Sequence, residues 1–212
     1  MKLGKEQEFK IPDYDEEIEN VSALVQTCRI ELESNKIQGI PYFNEILDRE
    51  LDAIIDCLTK INHFHASARS ARTALELTAI NLYRYNYPGG KLVDASFYEK
   101  YGLRSLSHPK KSPLLDLVRN GVLGEEVFIR FCESYRDLSE YVQHRVTYVL
   151  SHTLPEKIKS SQDYAEVLRL AVKKGHTAII VKSTLIKYSL EPALEVLLTL
   201  LEITSRYAVL TD

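Results

Sequence analysis

An arginine and a histidine stand seven positions apart in the segment Arg145-Val-Thr-Tyr-Val-Leu-Ser-His152. On a helix, seven steps of about 100° bring two positions to within about 20° of each other, two turns apart along the axis. Two chargeable side chains would then share one stripe with apolar neighbours. Burying such groups costs free energy unless they are paired or used. The spacing makes this pair the strongest candidate for chemistry in the chain.

These residue types match cleavage of RNA through its 2′-hydroxyl. The reaction needs a base near neutral pH, which a histidine with an ordinary pKa of about 6.5 supplies, and a cation on the phosphate, which an arginine supplies. We therefore predict Arg145 and His152 as catalytic residues, with Tyr148 and Tyr141 binding substrate by stacking on a base or bonding a phosphate. The same residues also fit a structural alternative, a buried hydrogen-bonded histidine and an arginine paired with a neighbouring helix.

The elements that must position these residues are helices. The chain has only 8 Gly and 7 Pro in 212 residues. They leave four long uninterrupted stretches, residues 13–38, 42–87, 125–154 and 193–212. Each stretch has apolar residues at helical spacing, which predicts amphipathic helices. We expect an all-α fold, a helical bundle of about seven to eight helices with an added N-terminal helix.

Apolar stripes identify the core face of each helix. Whether residues 42–86 form one helix or two stays open, because no breaker lies near Asn62. Ser112-Pro113 should open a short helix that Gly121 closes. Asp94 could cap a turn that extends to Tyr101, and Ser161 could cap a helix over 162–174. Residues 177–181 fit either a strand or a buried helix; we favour a helix there because one lone strand would have no partner, while the conformation of 176–188 stays open. The stripes of the first and fourth stretches are Ile18, Val21, Val25, Cys28 and Leu32, and Val127, Phe131, Tyr135, Leu138, Val142 and Val149.

Charge is distributed unevenly along the chain. The formal net charge is −3, with 6 basic and 12 acidic residues in positions 1–50 against 21 and 18 in the remainder. This balance argues against coating nucleic acid through bulk charge but leaves room for a local anionic ligand such as RNA. We divide the chain into an acidic N-terminal leader and helix, residues 1–40, which is a candidate contact for a protein partner, and a helical bundle domain, residues 41–212.

Other classes of function find little support in the sequence. His63 and His65 point about 200° apart on a helix and cannot share a metal that way, so we predict no metal and no cofactor. The three cysteines are odd in number and far apart, as expected of free thiols in a reducing compartment. With no signal peptide and no apolar run of eighteen residues, we expect a cytoplasmic protein outside the membrane.

Three segments resemble the HEPN superfamily, small helical domains that serve as toxins and RNA-cleaving modules. They are the alanine-rich helix Ala68–Leu77 with its acidic Glu76, the segment Leu114–Leu123 with its Gly-Val turn, and Arg145…His152, which fits the R-x(4–6)-H motif. The resemblance covers roughly residues 43–205. Val146 and Leu154 stand where many family members have a polar residue and a tyrosine.

The HEPN resemblance implies metal-independent RNA cleavage, related to toxin or defence functions. Arg145 and His152 would be the active pair, with two copies meeting across a dimer seam to form one composite site. The apolar stripe over 127–149 likewise leads us to expect a homodimer. A non-catalytic helical protein-interaction module is the alternative from the residues themselves.

A second resemblance involves phycobiliproteins, which have a globin-like fold and carry a bilin on cysteine. It rests on Pro88-Gly89-Gly90, Arg136-Asp137-Leu138 and Arg145-Val146-Thr147-Tyr148. The cysteine of this chain, Cys132, stands four positions before Arg136. This resemblance implies a bilin-binding function as a further alternative.

Overall fold

The computed structural model describes residues 15–34, 43–59, 63–86, 106, 112–153 and 186–208, and the side chains of the longest helix through Val142. Within these residues the chain is all-helical and no strand forms. A single turn of π-helix, Ile186–Leu190, leads into the last helix. The α-helices are α1 (Asp15–Ser34), α2 (Phe43–Thr59), α3 (Phe64–Tyr85), α4 (Leu114–Arg119), α5 (Glu125–Thr153) and α6 (Glu191–Ala208). The all-α prediction is confirmed for this part of the chain.

Helices α1 and α2 pack against each other and are joined by ion pairs at the surface. The guanidinium of Arg29 lies 3.1 Å from an Asp48 carboxylate oxygen and also contacts Asp52. Partial burial alone would lower the pKa of Arg29, but the two carboxylates outweigh it and raise that pKa further. The predicted stripe of α1 is correct, because Val21, Val25, Cys28 and Leu32 are buried.

Residues 42–86 form two helices, which answers the question that the sequence left open. Helix α2 ends at Thr59 and α3 begins at Phe64. The two helices pack closely, and the Ser67 hydroxyl donates a hydrogen bond to the Ile54 carbonyl oxygen at 3.0 Å. Neither Gly nor Pro marks the break, so the sequence offers no strong helix breaker there.

Helix α3 lies at the centre of the bundle, in contact with α2, α5 and α6. All six residues from Thr78 to Tyr83 are buried, so this part of the helix is covered on every side. Alanines occupy many of its contact positions, and small side chains let neighbouring helices approach. These buried alanines are Ala68, Ala71, Ala74 and Ala79.

The short helix α4 begins and ends as its sequence predicts. The Ser112 hydroxyl accepts a hydrogen bond from the Leu114 backbone N–H at 3.2 Å, which satisfies a donor that the first turn leaves unpaired. Gly121 has a φ of 70° and follows the last turn, where a left-handed residue closes a helix at no steric cost to glycine.

Helices α1 and α6 run in the same direction. Near the first residues of the two helices, Glu17 of α1 lies close enough to Glu191 of α6 for its charge to raise the Glu191 pKa. Near their last residues, the Ser205 hydroxyl of α6 donates a hydrogen bond to the Glu31 carboxylate of α1 at 3.2 Å. The apolar residues of α1 belong to one core with those of the other helices. The division at residue 40 stays a prediction.

Several sequence predictions concern other parts of the chain. The turn expected over 94–101, the helix expected over 162–174 and the segment 177–181 lie outside the described residues. The total of seven to eight helices therefore stays a prediction. In the described part, no helix combines the length and apolarity needed to span a membrane.

Candidate functional site

The predicted catalytic positions lie on α5, which is continuous from Glu125 to Thr153. Two glutamates in the first turn complement the positive end of the helix dipole. One face of the described part of the helix is buried against α3 and α6. Its buried residues are Phe128, Phe131, Ser134, Tyr135, Leu138 and Tyr141.

Positions 145 and 152 lie two turns apart on one face of this continuous helix. Phe131 and Leu138 are both fully buried and stand seven residues apart. Two further steps of seven along the same uninterrupted helix reach Arg145 and His152, with a drift of about 20° per step. The structure thus supports the predicted register, while the side chains of Arg145, Tyr148 and His152 lie outside the described residues.

The last part of α5 differs in charge from the first. All five carboxylates of the helix occur between positions 125 and 140. Residues 141–153 contain Arg145, His144 and His152 and no acidic residue. No carboxylate of this helix would repel a phosphate group bound at residues 141–153, so the local sequence favours an anionic ligand.

Tyr141 occupies a different place from the one expected of a substrate-binding residue. Its side chain is fully buried and is the largest of the completely buried side chains. A ring in that position packs in the core and presents no face on which a base could stack. Tyr141 is therefore left out of the site proposed below.

A cluster at the contact between α3 and α5, the seam cluster, consists of Arg72, Glu76, Phe131 and Tyr135. The Tyr135 hydroxyl donates a hydrogen bond to a Glu76 carboxylate oxygen at 3.2 Å. The Arg72 guanidinium carbon lies 5.4 Å from the centroid of the Tyr135 ring, within cation–π range. The same ring stacks on Phe131 at a centroid distance of 5.8 Å. The hydrogen bond and the cation–π contact join the two helices, whereas the ring stacking lies within α5.

The seam cluster keeps Tyr135 protonated. Burial, with the adjacent Glu76 carboxylate, raises the pKa of Tyr135 to about 12, and Arg72 only partly offsets this. At neutral pH the phenol is a hydrogen-bond donor and not a base. Sequence reasoning placed Tyr135 on an apolar stripe and missed the cluster. The i, i+4 spacing of Arg72 and Glu76 was the available signal.

No protein-family model, curated protein or solved structure matches this chain.

The histidines and cysteines of the described residues are weaker candidates for catalysis or ligand binding. His63 and His65 are exposed, as expected of a solvated pair. Partial burial, with Glu133 nearby, raises the pKa of Cys132 to about 11 against the lowering effect of Arg136. Its thiol is thus mostly protonated at neutral pH and a poor nucleophile for attaching a bilin. Among the described residues, no three His, Cys, Asp or Glu side chains are grouped to hold a metal ion.

Proposed function

We propose that this chain is a HEPN-like domain that binds RNA and cleaves it without a metal, through Arg145 and His152. One observation carries the proposal. A single unbroken helix, α5, contains positions 145 and 152 and places them on one face, two turns apart. The absence of carboxylates in residues 141–153 of that helix supports the proposal further.

The proposed reaction is an internal transesterification. The imidazole of His152 takes the proton from the ribose 2′-hydroxyl, and the 2′-oxygen attacks the neighbouring phosphorus. The bond from phosphorus to the 5′-oxygen breaks, and that oxygen is protonated by water as it leaves. Arg145 stabilises the negative charge that develops on the phosphoryl oxygens. The products are a 2′,3′-cyclic phosphate and a 5′-hydroxyl end. Tyr148, one turn from each of the two residues, is proposed to contact the substrate.

The proposal includes a second copy of the chain. Two α5 helices that meet along their C-terminal halves would bring two arginine–histidine pairs together and form one composite site. The molar mass in solution, measured by light scattering at the concentration of the activity assay, tests this part. A dimer is expected, and a monomer that still cleaves RNA would contradict the two-chain site.

Cleavage of single-stranded RNA in the presence of a chelator tests the function. The unmodified chain is expected to cleave, whereas Arg145→Ala and His152→Ala should each lower the rate by about 10²-fold or more. His63→Ala and Arg136→Ala are matched controls, because both residues are exposed and lie outside the proposed site. Equal cleavage by the unmodified chain and His152→Ala would overturn the proposal.

A second function is favoured by the charge of the α1–α2 pair. These two helices have eleven carboxylates and only two arginines, Arg29 and Arg49. We propose, as the alternative, a non-catalytic module that binds a basic protein partner there. Deleting the leader is an unsuitable test because α1 contributes to the core. Replacing exposed Glu16 and Glu19 by Gln should instead weaken binding to poly-lysine, and unchanged binding would contradict this function.

A further inference from the structure

One edge of α3 has three basic side chains, and neither of its two arginines forms an ion pair with a described carboxylate. His65, Arg69 and Arg72 follow each other at steps of four and three, so they lie on one face of the helix. His65 and Arg69 are exposed and Arg72 is half-buried. Arg72 contacts the Tyr135 ring of α5, which places this edge beside the seam between the two helices. We call these three residues the cationic edge.

Five of the six other arginines whose side chains the structure describes form ion pairs with carboxylates. Among the residues that the structure describes, Arg69, Arg72 and Arg206 make no ion pair, although Arg72 has its ring contact with Tyr135. Glu76, the next residue along the same face, accepts a hydrogen bond from Tyr135. The arginines that form ion pairs with carboxylates are Arg29, Arg49, Arg119, Arg130 and Arg136.

The negative charge of α1 and α2 favours the binding of a polyanion at α3 over binding at those two helices. Eleven carboxylates on α1 and α2 repel phosphate from that side of the molecule. Both arginines of those helices are already paired, Arg29 with Asp48 and Arg49 with Glu45. On α3, Arg69 and Arg72 lie one turn apart without an ion pair to a described carboxylate, about the distance at which successive side chains can reach one backbone, although Arg72 also contacts the Tyr135 ring.

We infer that the cationic edge of α3 binds the phosphate backbone of single-stranded RNA and guides it along the seam to α5. This inference rests on the proposed function, because it names the residues that hold the substrate outside the reacting pair. Arg69 and Arg72 contact phosphates as charged forks, and His65 adds a donor at the end of the edge. None of the three takes part in bond cleavage.

The test measures binding and cleavage on separate probes. Binding is followed by fluorescence anisotropy with a labelled single-stranded RNA that is 2′-O-methylated throughout, so that it cannot be cleaved through the 2′-hydroxyl. Arg69→Gln should lower the slope of log affinity against log salt by about 0.7 and weaken binding about fivefold at roughly 0.1 M salt. Arg206→Gln is the matched control, an exposed arginine that also makes no ion pair in the described part of the chain, and should change neither quantity.

Arg72→Gln should add a similar loss, and thermal melting shows whether the altered contact with Tyr135 also affects the fold. Among the described residues, Arg69 has no contact with an aromatic ring, so the Arg69→Gln variant is the decisive test of the inference. If Arg69→Gln binds the methylated RNA as the unmodified chain does, the inference is overturned, even where unmodified RNA is cleaved. If binding depends on Arg69 but unmodified RNA stays intact, the inference stands and the catalytic function fails. No binding of the methylated RNA by the unmodified chain overturns the inference as well.

Discussion

The hydroxyl of Tyr135 on α5 donates a hydrogen bond to the carboxylate of Glu76 on α3, with 3.2 Å between the oxygens. Fifty-nine positions of sequence separate the two residues. Their contact is one of the interactions that join α5, the helix with Arg145 and His152, to the central helix of the bundle. The seam cluster therefore helps to hold α5 against α3.

Tyr135→Phe is expected to destabilise the fold by about 1 kcal/mol, because it removes a hydrogen bond and leaves the half-buried Glu76 carboxylate without its donor. Chemical denaturation measures the change in unfolding free energy. The double variant Tyr135→Phe/Glu76→Ala completes a cycle with the single variants, and a coupling energy of about 1 kcal/mol is expected. Additive effects, with no coupling, would show that the hydrogen bond does not hold the helices.

Leu138→Ala tests whether the stripe that leads to positions 145 and 152 faces the core. Leu138 is fully buried, so its truncation should cost about 2–5 kcal/mol of unfolding free energy. Ile129→Ala on the same helix is the control, because Ile129 is 49% exposed, and it should cost far less. Similar losses for the two variants would contradict the orientation of α5.

Glu191 makes the stability of the chain depend on pH. Partial burial, together with Glu17 and Glu195, raises the pKa of Glu191, although Asn20 and Lys187 act in the opposite direction. Because the folded-state pKa lies above the unfolded value, the penalty from the charged carboxylate is absent below the unfolded pKa of about 4.3 and develops as the pH rises through the folded pKa.

Glu191→Gln should therefore gain stability relative to the unmodified chain as the pH rises from about 4 to 7. The gain is expected to be about 0.5 kcal/mol or less, since the group is partly exposed. Unfolding free energies at several pH values measure it. Glu140→Gln, at an exposed position of α5, is the control variant. A gain in unfolding free energy that grows toward acid pH would contradict a raised pKa for Glu191.

Cys28 should be the least reactive of the three thiols. It is fully buried, burial raises its pKa to about 12, and its Sγ donates weakly to the Leu194 carbonyl oxygen at 3.8 Å. Because the thiolate is the nucleophile, an alkylating reagent should reach Cys28 only after unfolding, whereas the half-buried Cys57 and Cys132 react earlier. Peptide mass spectrometry over time resolves the three sites, and early labelling of Cys28 would contradict its place in the core.

Helix periodicity and punctuation were sufficient to predict much of this fold. The apolar stripe of α1 was identified because burial on one side imposes a repeat of three and four residues. The limits of α4 were visible because Ser112 and Gly121 have side-chain and backbone properties that start and stop helices. In both cases, the decisive interaction lies within a few residues of sequence.

The break between α2 and α3 and the seam cluster were not predictable in the same way. Neither Thr59 nor Phe64 is a helix breaker, so the residues at the two helix ends give no local signal for the break. The meeting of Arg72 with Tyr135 requires the tertiary arrangement of α3 and α5, which no local pattern encodes. For the site, the sequence predicted a register that α5 supports, whereas Tyr141 proved to be a core residue.

The most direct test of the central claim is the chemistry of the RNA ends that the chain produces in the presence of a chelator. A substrate with a single ribonucleotide in an otherwise deoxyribose strand restricts cleavage to one 2′-hydroxyl. The account predicts a 2′,3′-cyclic phosphate and a 5′-hydroxyl from the unmodified chain, and no product above background from His152→Ala. Cleavage that needs a metal, that leaves a 3′-hydroxyl, or that persists in His152→Ala would contradict it.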